Sequence, residues 1–563
     1  MRLIVAFSLL HRLFLGAVGR RNAAALRWLL ILSSFALLAA AYRAGVAAGL
    51  DSYIAGPYAA GPFLLAVCAV ATKWLTGVGD YVCLEKIQDI VALRQGILQD
   101  LGLRMDGQSW EYLFDREFVD QALRRLFEMP QWTVPATTSG PPYLGIQGIG
   151  WGMDEGHYVF VNLAFHIFGP AVESLYRGYW LLYGASSVLF ALAYRRSIAP
   201  LVLLTASAVF QYMVFSTDFL WFSDGVHPTA APSSPRFLSC LGVLPALHFV
   251  CAAWVREPLR WREATLLSLQ GIILGIAILQ RTTVQWVLVA ALLLFALHWI
   301  FRRHSPSYQL LKRRYYLLLG GIFGIVLLTN VYLAVMSHPG LAANGYVARH
   351  NVWHALFYNL QTHPDWKDRY GVEYDNKDGD FLPIFAARRY LANHPDEWAR
   401  WNPNRGDPFQ IAISQVGIEY LIKQAFVEFV ERNPLFALQI WTYYNPGTLY
   451  LYSSVFLRQY LAWMPTGLLA GLIGAGFLCG VVASTQDRRR MLASIPILAL
   501  LCLISVLPNW TTVVIQTSMT DSFELLSILA TIVLVAFGLT VGFAVRVASR
   551  SVLNMQARAT AAT

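Results

Sequence analysis

The sequence is short of charge. Lys, Arg, Asp and Glu make up 13% of its 563 residues, about half of the roughly 25% usual in a soluble globular domain. That deficit excludes an ordinary water-soluble fold, and it equally excludes a charge-rich disordered chain. Cysteine is scarce: Cys68, Cys83, Cys240, Cys251, Cys479 and Cys502 are all there is, with no CxxC spacing. All six lie in or beside apolar runs and read as small core hydrophobes, which excludes a disulfide framework and a cysteine zinc site. There is no internal repeat, and no low-complexity tract before the Ala-rich tail that follows Met555. No small-residue cleavage site follows the apolar stretch Met1–Arg20. That stretch is therefore expected to remain attached as an interfacial or anchoring segment.

What is present instead is apolar surface. Hydrophobic residues reach 56% and Trp, Tyr and Phe together 14%, with a mean hydropathy of +0.48. Lipid-facing helices with interfacial aromatic belts need this composition. The net charge of +10 does not point to nucleic acid, because Arg and Lys sit in short clusters between apolar runs rather than along one face.

A helix needs about 20 apolar residues to cross about 30 Å of hydrocarbon. Candidate spans are Leu26–Gly49, Leu175–Tyr194, Ala199–Leu220, Phe237–Val255, Ala264–Gln280, Val284–Phe301, Tyr315–Met336, Leu461–Ala483, Met491–Leu507 and Phe523–Val545. Pro62–Val78 is short and contains Lys73, so it reads as re-entrant or interfacial unless Leu3–Val18 crosses as well. The expected fold is an all-α polytopic membrane protein of about 10–12 transmembrane helices.

Basic clusters set the sidedness. Arg20, Arg21 and Arg27, Arg195–Arg196, Arg256, Arg260 and Arg262, Arg302–Arg303 with Lys312–Arg314, Arg488–Arg490, and Arg546 with Arg550 all fit the cytoplasm. Alternation is then strict from Leu175 onward. The chain divides into an anchor and first span (1–50), a first external loop (51–174) and a transmembrane bundle (175–336). A second large external loop (337–460) and C-terminal spans with a short tail (461–563) complete it. Leu84–Phe127 has apolar residues at helical spacing and fits a helix on the membrane surface or an ordinary packed one. Helical patterns at Phe381–Asn393 and Ile411–Arg432 precede a break at Asn433-Pro434.

Three groups of residues can carry chemistry. The first is the glycine-flanked acid pair Asp154 and Glu155, followed by His157 and the apolar stretch Val159–Phe168. A carboxylate just outside the membrane can act as general base toward a substrate at the lipid surface, or it can simply cap the helix that follows. The second is Arg281, the sole charge in a tight external turn. A cation on that side is a functional hypothesis by default, and its planar fork suits a phosphate. The alternative is snorkelling to lipid headgroups. The third is Arg349, His350, Trp353, His354, Tyr358 and Asp375 in the second loop, with Asp224 and His227 in a short external turn. Arg349 can join Arg281 on a phosphate, and the aromatics can stack on a sugar ring. The histidines and carboxylates would admit a divalent metal such as Mg or Mn, although their spacing matches no metal motif. A solvated loop accounts for Asp224 and His227 equally well.

Taken together, Trp151–Gly156, Phe165–Gly169 and Ser174–Arg177, with Gly275–Gln280 running into Arg281, resemble the GT-C superfamily of membrane glycosyltransferases. The resemblance extends broadly to its bacterial protein mannosyltransferase and aminoarabinose transferase families. It implies transfer of a sugar from a polyprenyl-phosphate donor to a glycan, lipid or protein acceptor. It implies a site on the periplasmic face of the inner membrane, with Asp154 or Glu155 as base and Arg281 on the donor phosphate. The acid pair lies later in the chain than is usual there, behind about a hundred extra residues. Three readings compete. One is a transporter or flippase of lipid-linked saccharide, disfavoured by spans nearly free of acidic residues. Another is an O-antigen-ligase-like transferase relying on the His350–His354 loop. The third is a non-catalytic scaffold for an envelope complex, which would explain the large external loops but not the isolated Arg281 or the glycine-flanked acids.

Overall fold

A computed structural model of the chain describes residues 19–47, 156–169, 171–216, 238–254 and 260–280, isolated positions between 284 and 331 together with 316–328, and then 352–366, 382–397, 415–482, 485–510 and 520–562. Among these residues there is no β-strand. In chain order the helices are α1 (Gly19–Ala47), α2 (Gly156–Phe168), α3 (Val172–Tyr194), α4 (Ile198–Ser216), α5 (Val243–Trp254, entered by a 3-10 turn at Ser239–Gly242) and α6 (Trp261–Gln280). There follow α7 (Val352–Tyr358), α8 (Leu382–Asn393), α9 (Gln415–Arg432), α10 (Pro434–Gln439), α11 (Asn445–Trp463), α12 (Thr466–Val482), α13 (Thr485–Trp510) and α14 (Thr520–Ala562).

Among the described residues, four helical stretches are long and apolar enough to cross a membrane: Ala23–Val46, Ile198–Ser216, Trp261–Ile278 and Ser522–Ser549. A fifth forms if the bent pair Pro434–Trp463 and Thr466–Val481 counts as one span. An all-α, multi-pass membrane protein follows from these. Four or five spans among the described residues is fewer than the 10–12 expected. Ser239–Ala252, Tyr316–Leu328 and Met491–Ser505 are apolar but shorter, and half of Val284–Phe301 falls outside the described residues. Leu3–Val18, Pro62–Val78 and Leu84–Phe127 lie wholly outside them.

One expected span needs correction. Hydropathy ran Leu461–Ala483 together, whereas the chain bends by 97° between α11 and α12. Met464 is extended (φ −65°, ψ 122°) because it precedes Pro465, whose ring disfavours the helical region for the residue before it.

Most helices share one apolar core. Its largest fully buried side chains include Tyr176, Tyr179, Tyr183, Phe190 and Phe210. Helices α1 and α4 run parallel through it. Arg27 Nη1 donates to the Arg196 carbonyl (2.9 Å) at one end, and Ser34 and Thr205 share a hydrogen bond (3.0 Å) further along. Arg195, Arg196, Arg260 and Arg262 all line one cavity. Basic clusters far apart in sequence are thus gathered at a single end of the bundle.

Helices α12 and α14 are also parallel, and their contact is glycine-made. Gly476 and Gly480 on one helix face Val535 and Leu539 on the other, while Gly538 and Gly542 face Ile473 and Phe477. A Cβ on any of the four would lie 2.9–3.0 Å from the facing carbonyl carbon and nearer still to its oxygen. Two G-x-x-x-G stripes let the backbones touch, which is how helices associate where lipid removes the hydrophobic drive. Arg546 Nη1 then donates to the Val481 carbonyl (3.1 Å), capping the end of α12.

A second, smaller core lies in the 352–440 region. Phe357, Leu360, Trp366, Leu391, Leu421, Phe429, Phe436 and Ile440 pack together from α7 to α10. Asn433, whose N–H bonds to the Phe429 carbonyl (2.9 Å), separates α9 from α10, and Pro434 starts the latter. The sequence break at Asn433-Pro434 falls where expected.

Candidate functional site

The acid pair precedes a helix that is folded back on the bundle. Helix α2 begins at Gly156, so Glu155 is the residue immediately before its first turn. The helix ends where Gly169 takes φ +89°, a conformation that costs a residue with a Cβ but not glycine. The Gly169 N–H closes the last turn onto the Phe165 carbonyl (2.9 Å), and Ser174 Oγ donates back to the Gly169 carbonyl (2.5 Å). In α3, Glu173 sits in the first turn and pairs with Arg177 (2.6 Å), a placement favoured by the helix dipole and i,i+4 spacing.

Across this turn α2 packs on α3, with Gly178 against Ala164 and Phe160, and it also packs on α6. Helix α6 ends at Gln280, the residue before Arg281. The acid pair and the arginine therefore adjoin the ends of two helices that touch each other. Asp154, Glu155 and Arg281 themselves lie outside the described residues, as do Asp224, His227, Arg349, His350 and Asp375. His157 and Tyr358 fall within α2 and α7.

Trp353 and His354 are both half-buried on α7. The Trp353 ring leans on Phe426 (centroids 5.8 Å apart), with Lys423 Nζ 5.4 Å from its centroid. That ring is thus packed against the small core, with a cation over it. Downstream, two unexpected histidines are stacked. His363 is buried, 4.0 Å from Phe436 and 4.6 Å from Tyr444, with Nε2 3.2 Å from Gln439 Oε1. His394 stacks on Tyr390 at 4.0 Å. Burial, with Glu397, Tyr420 and Glu428 nearby, pushes the Tyr390 phenol up from its ordinary value. Among the described residues no three His, Cys, Asp or Glu side chains converge as a metal site.

Sequence reasoning missed the most unusual group in the bundle. Glu524, in the second turn of α14, is the only fully buried carboxylate among the described residues. Its Oε1 accepts from Ser207 Oγ (2.8 Å) and Tyr183 Oη (3.0 Å), and those hydroxyls lie 2.5 Å apart. Gln211 and Cys240 flank the same carboxylate, and Tyr179 Oη donates to Gln211 Oε1 (2.8 Å). Aromatic rings close the neighbourhood: Tyr179 stacks on Tyr183 at 5.6 Å, and Trp180 meets Phe215 at 5.3 Å. An ionisable group held inside a membrane bundle is expensive and marks function more often than chance. The visible signal was a lone Glu at the edge of an apolar run.

Compared with known protein families, curated proteins and solved structures, the chain matches none.

Proposed function

We propose that this protein is an inner-membrane glycosyltransferase of GT-C type, moving a sugar from a polyprenyl-phosphate donor to a glycan, lipid or protein acceptor on the periplasmic face. The observation that carries the reading is the packing of α2 on α6, because the acid pair leads into the first helix and Arg281 follows the second. The gathering of basic clusters at one end of the bundle supports it, since the positive-inside rule makes that end cytoplasmic.

The reaction needs two groups of opposite kind. An acceptor hydroxyl attacks the anomeric carbon while its proton passes to Asp154 or Glu155. The bond from that carbon to the phosphate oxygen breaks, and the charge growing on the departing polyprenyl phosphate is met by Arg281. The second loop, with His350, His354 and Tyr358, serves as the sugar and acceptor platform in this account, with Trp353 anchoring α7 to the small core. The GT-C fold and the fuller complement of spans belong to the same proposal.

Glu524 favours a second reading, a transporter of lipid-linked saccharide, because transporters place ionisable groups inside the bundle. The two are separated by incubating purified protein in nanodiscs with labelled lipid-linked sugars from a membrane extract. A labelled glycoconjugate formed without a second compartment supports the transferase. Movement of label across a sealed vesicle with no new glycosidic bond supports the transporter.

A further inference from the structure

The arginine end of the bundle carries a cavity that the proposed chemistry does not use. It has a volume of about 460 Å3 and lies between α3, α4, α5, α6 and α13. Its walls are apolar, with Leu203, Leu247, Val250 and Leu498 among them. Its charged groups are Arg195 and Arg196 from the α3–α4 turn and Arg260 and Arg262 from the start of α6, against a single carboxylate, Glu263. Arg195, Arg196 and Arg262 are exposed. A phosphate needs planar donors and positive charge, while an acyl chain needs an apolar cleft, and here the two adjoin.

We infer that this cavity is a binding site for an acidic phospholipid, with the phosphate held by Arg195, Arg196 and Arg262 and the acyl chain against the leucine-lined wall. Charge complementarity selects the headgroup: four arginines facing one glutamate leave the lining strongly cationic. The apolar walls select a lipid over a free anion. Topological arginines alone would require only a basic loop in water; they would not require a cleft between five helices beneath it. Basic pockets of this kind, between helices at the cytoplasmic side, are where acidic headgroups bind specifically. The inference is independent of the catalytic proposal, because it uses neither Asp154 nor Arg281.

The test is a titration of delipidated, detergent-purified protein, read by native mass spectrometry. Dioleoylphosphatidylglycerol, dioleoylphosphatidylcholine and inorganic phosphate are the three probes. One saturable phosphatidylglycerol site is expected. Arg195→Gln with Arg262→Gln should weaken it about thirtyfold, at about fivefold per cation near the surface. Ser494→Trp keeps every arginine but fills the cavity, and should also weaken phosphatidylglycerol binding. Phosphatidylcholine, whose choline cancels the phosphate charge, should bind at least about fivefold more weakly than phosphatidylglycerol, as the loss of one such cation contact implies. Equal binding of the two lipids would overturn the inference. So would undiminished phosphatidylglycerol binding in Ser494→Trp, and so would full competition by inorganic phosphate at the lipid's own concentration.

Discussion

Replacing Gly476 by alanine tests the tightest contact in the bundle. The new methyl would press into the Val535 carbonyl, 2.9 Å from its carbon, with the Val535 Cα only 3.0 Å away. Neither is the end of a flexible side chain, so α12 and α14 must separate. Overpacking of this kind costs about 1–3 kcal/mol. Alanine also favours helix over glycine by roughly 0.5–1 kcal/mol, which acts in the opposite direction. Gly474→Ala removes that ambiguity. Gly474 is on the same helix, exposed, with nothing within 4 Å of a Cβ, so it carries the propensity gain alone. The difference between the two variants is then the packing loss of about 1–3 kcal/mol. In a chain this long that is on the order of 1–3 °C in apparent Tm, measurable by tryptophan fluorescence in nanodiscs. Gly538→Ala should match Gly476→Ala, and the double variant should lose less than the two single losses together, because the first substitution already parts the helices. If Gly476→Ala and Gly474→Ala melt at the same temperature, the glycine-to-backbone contact does not hold these helices together.

Further outcomes follow from other contacts. Tyr183→Phe removes one hydroxyl from both Glu524 and Ser207 and should cost about 0.6–2 kcal/mol, with Glu524→Leu losing activity or transport as well; a Tm unchanged in Tyr183→Phe would show the carboxylate is satisfied by its other neighbours. Trp366→Ala empties the centre of the small core, where Trp366 meets Phe357, Phe429 and Phe436. It should open that region to protease by about 3–5 kcal/mol while the apolar bundle melts unchanged. Single cysteines placed at Asp396 and at Ser197 should label from opposite sides of the membrane with an impermeant maleimide, Asp396 from outside; labelling from one side would contradict the alternation of spans.

Hydropathy and arginine placement made much of this fold legible. Helices α4 and α6 follow their expected spans within a few residues, because each is one apolar run between polar turns. The gathered arginine end follows from the same pattern. The bend at Met464 was hidden because residues on both sides of Pro465 are apolar, and hydropathy records depth rather than direction. α14 runs on through Arg546 and Arg550 to Ala562, since a helix needs hydrogen bonds and propensity but not apolarity to continue. The glycine stripes were written openly as two G-x-x-x-G repeats. Of the Glu524 cluster only the lone acid at the edge of an apolar run was legible: its partners Tyr183 and Ser207 lie 341 and 317 residues away, beyond any local pattern. Composition alone does not tell an aromatic packed against a core, as Trp353 is against Phe426, from one offered to a sugar.

The central claim is that a carboxylate beside α2 removes the acceptor proton. Sugar transfer from lipid-linked donors should be compared for wild type, Asp154→Asn and Glu155→Gln, each matched for expression and Tm. The account predicts loss of at least about a hundredfold, as expected for a general base, in one of the two variants, with its Tm retained. Normal transfer by both variants would reduce the acids to helix caps and contradict the account.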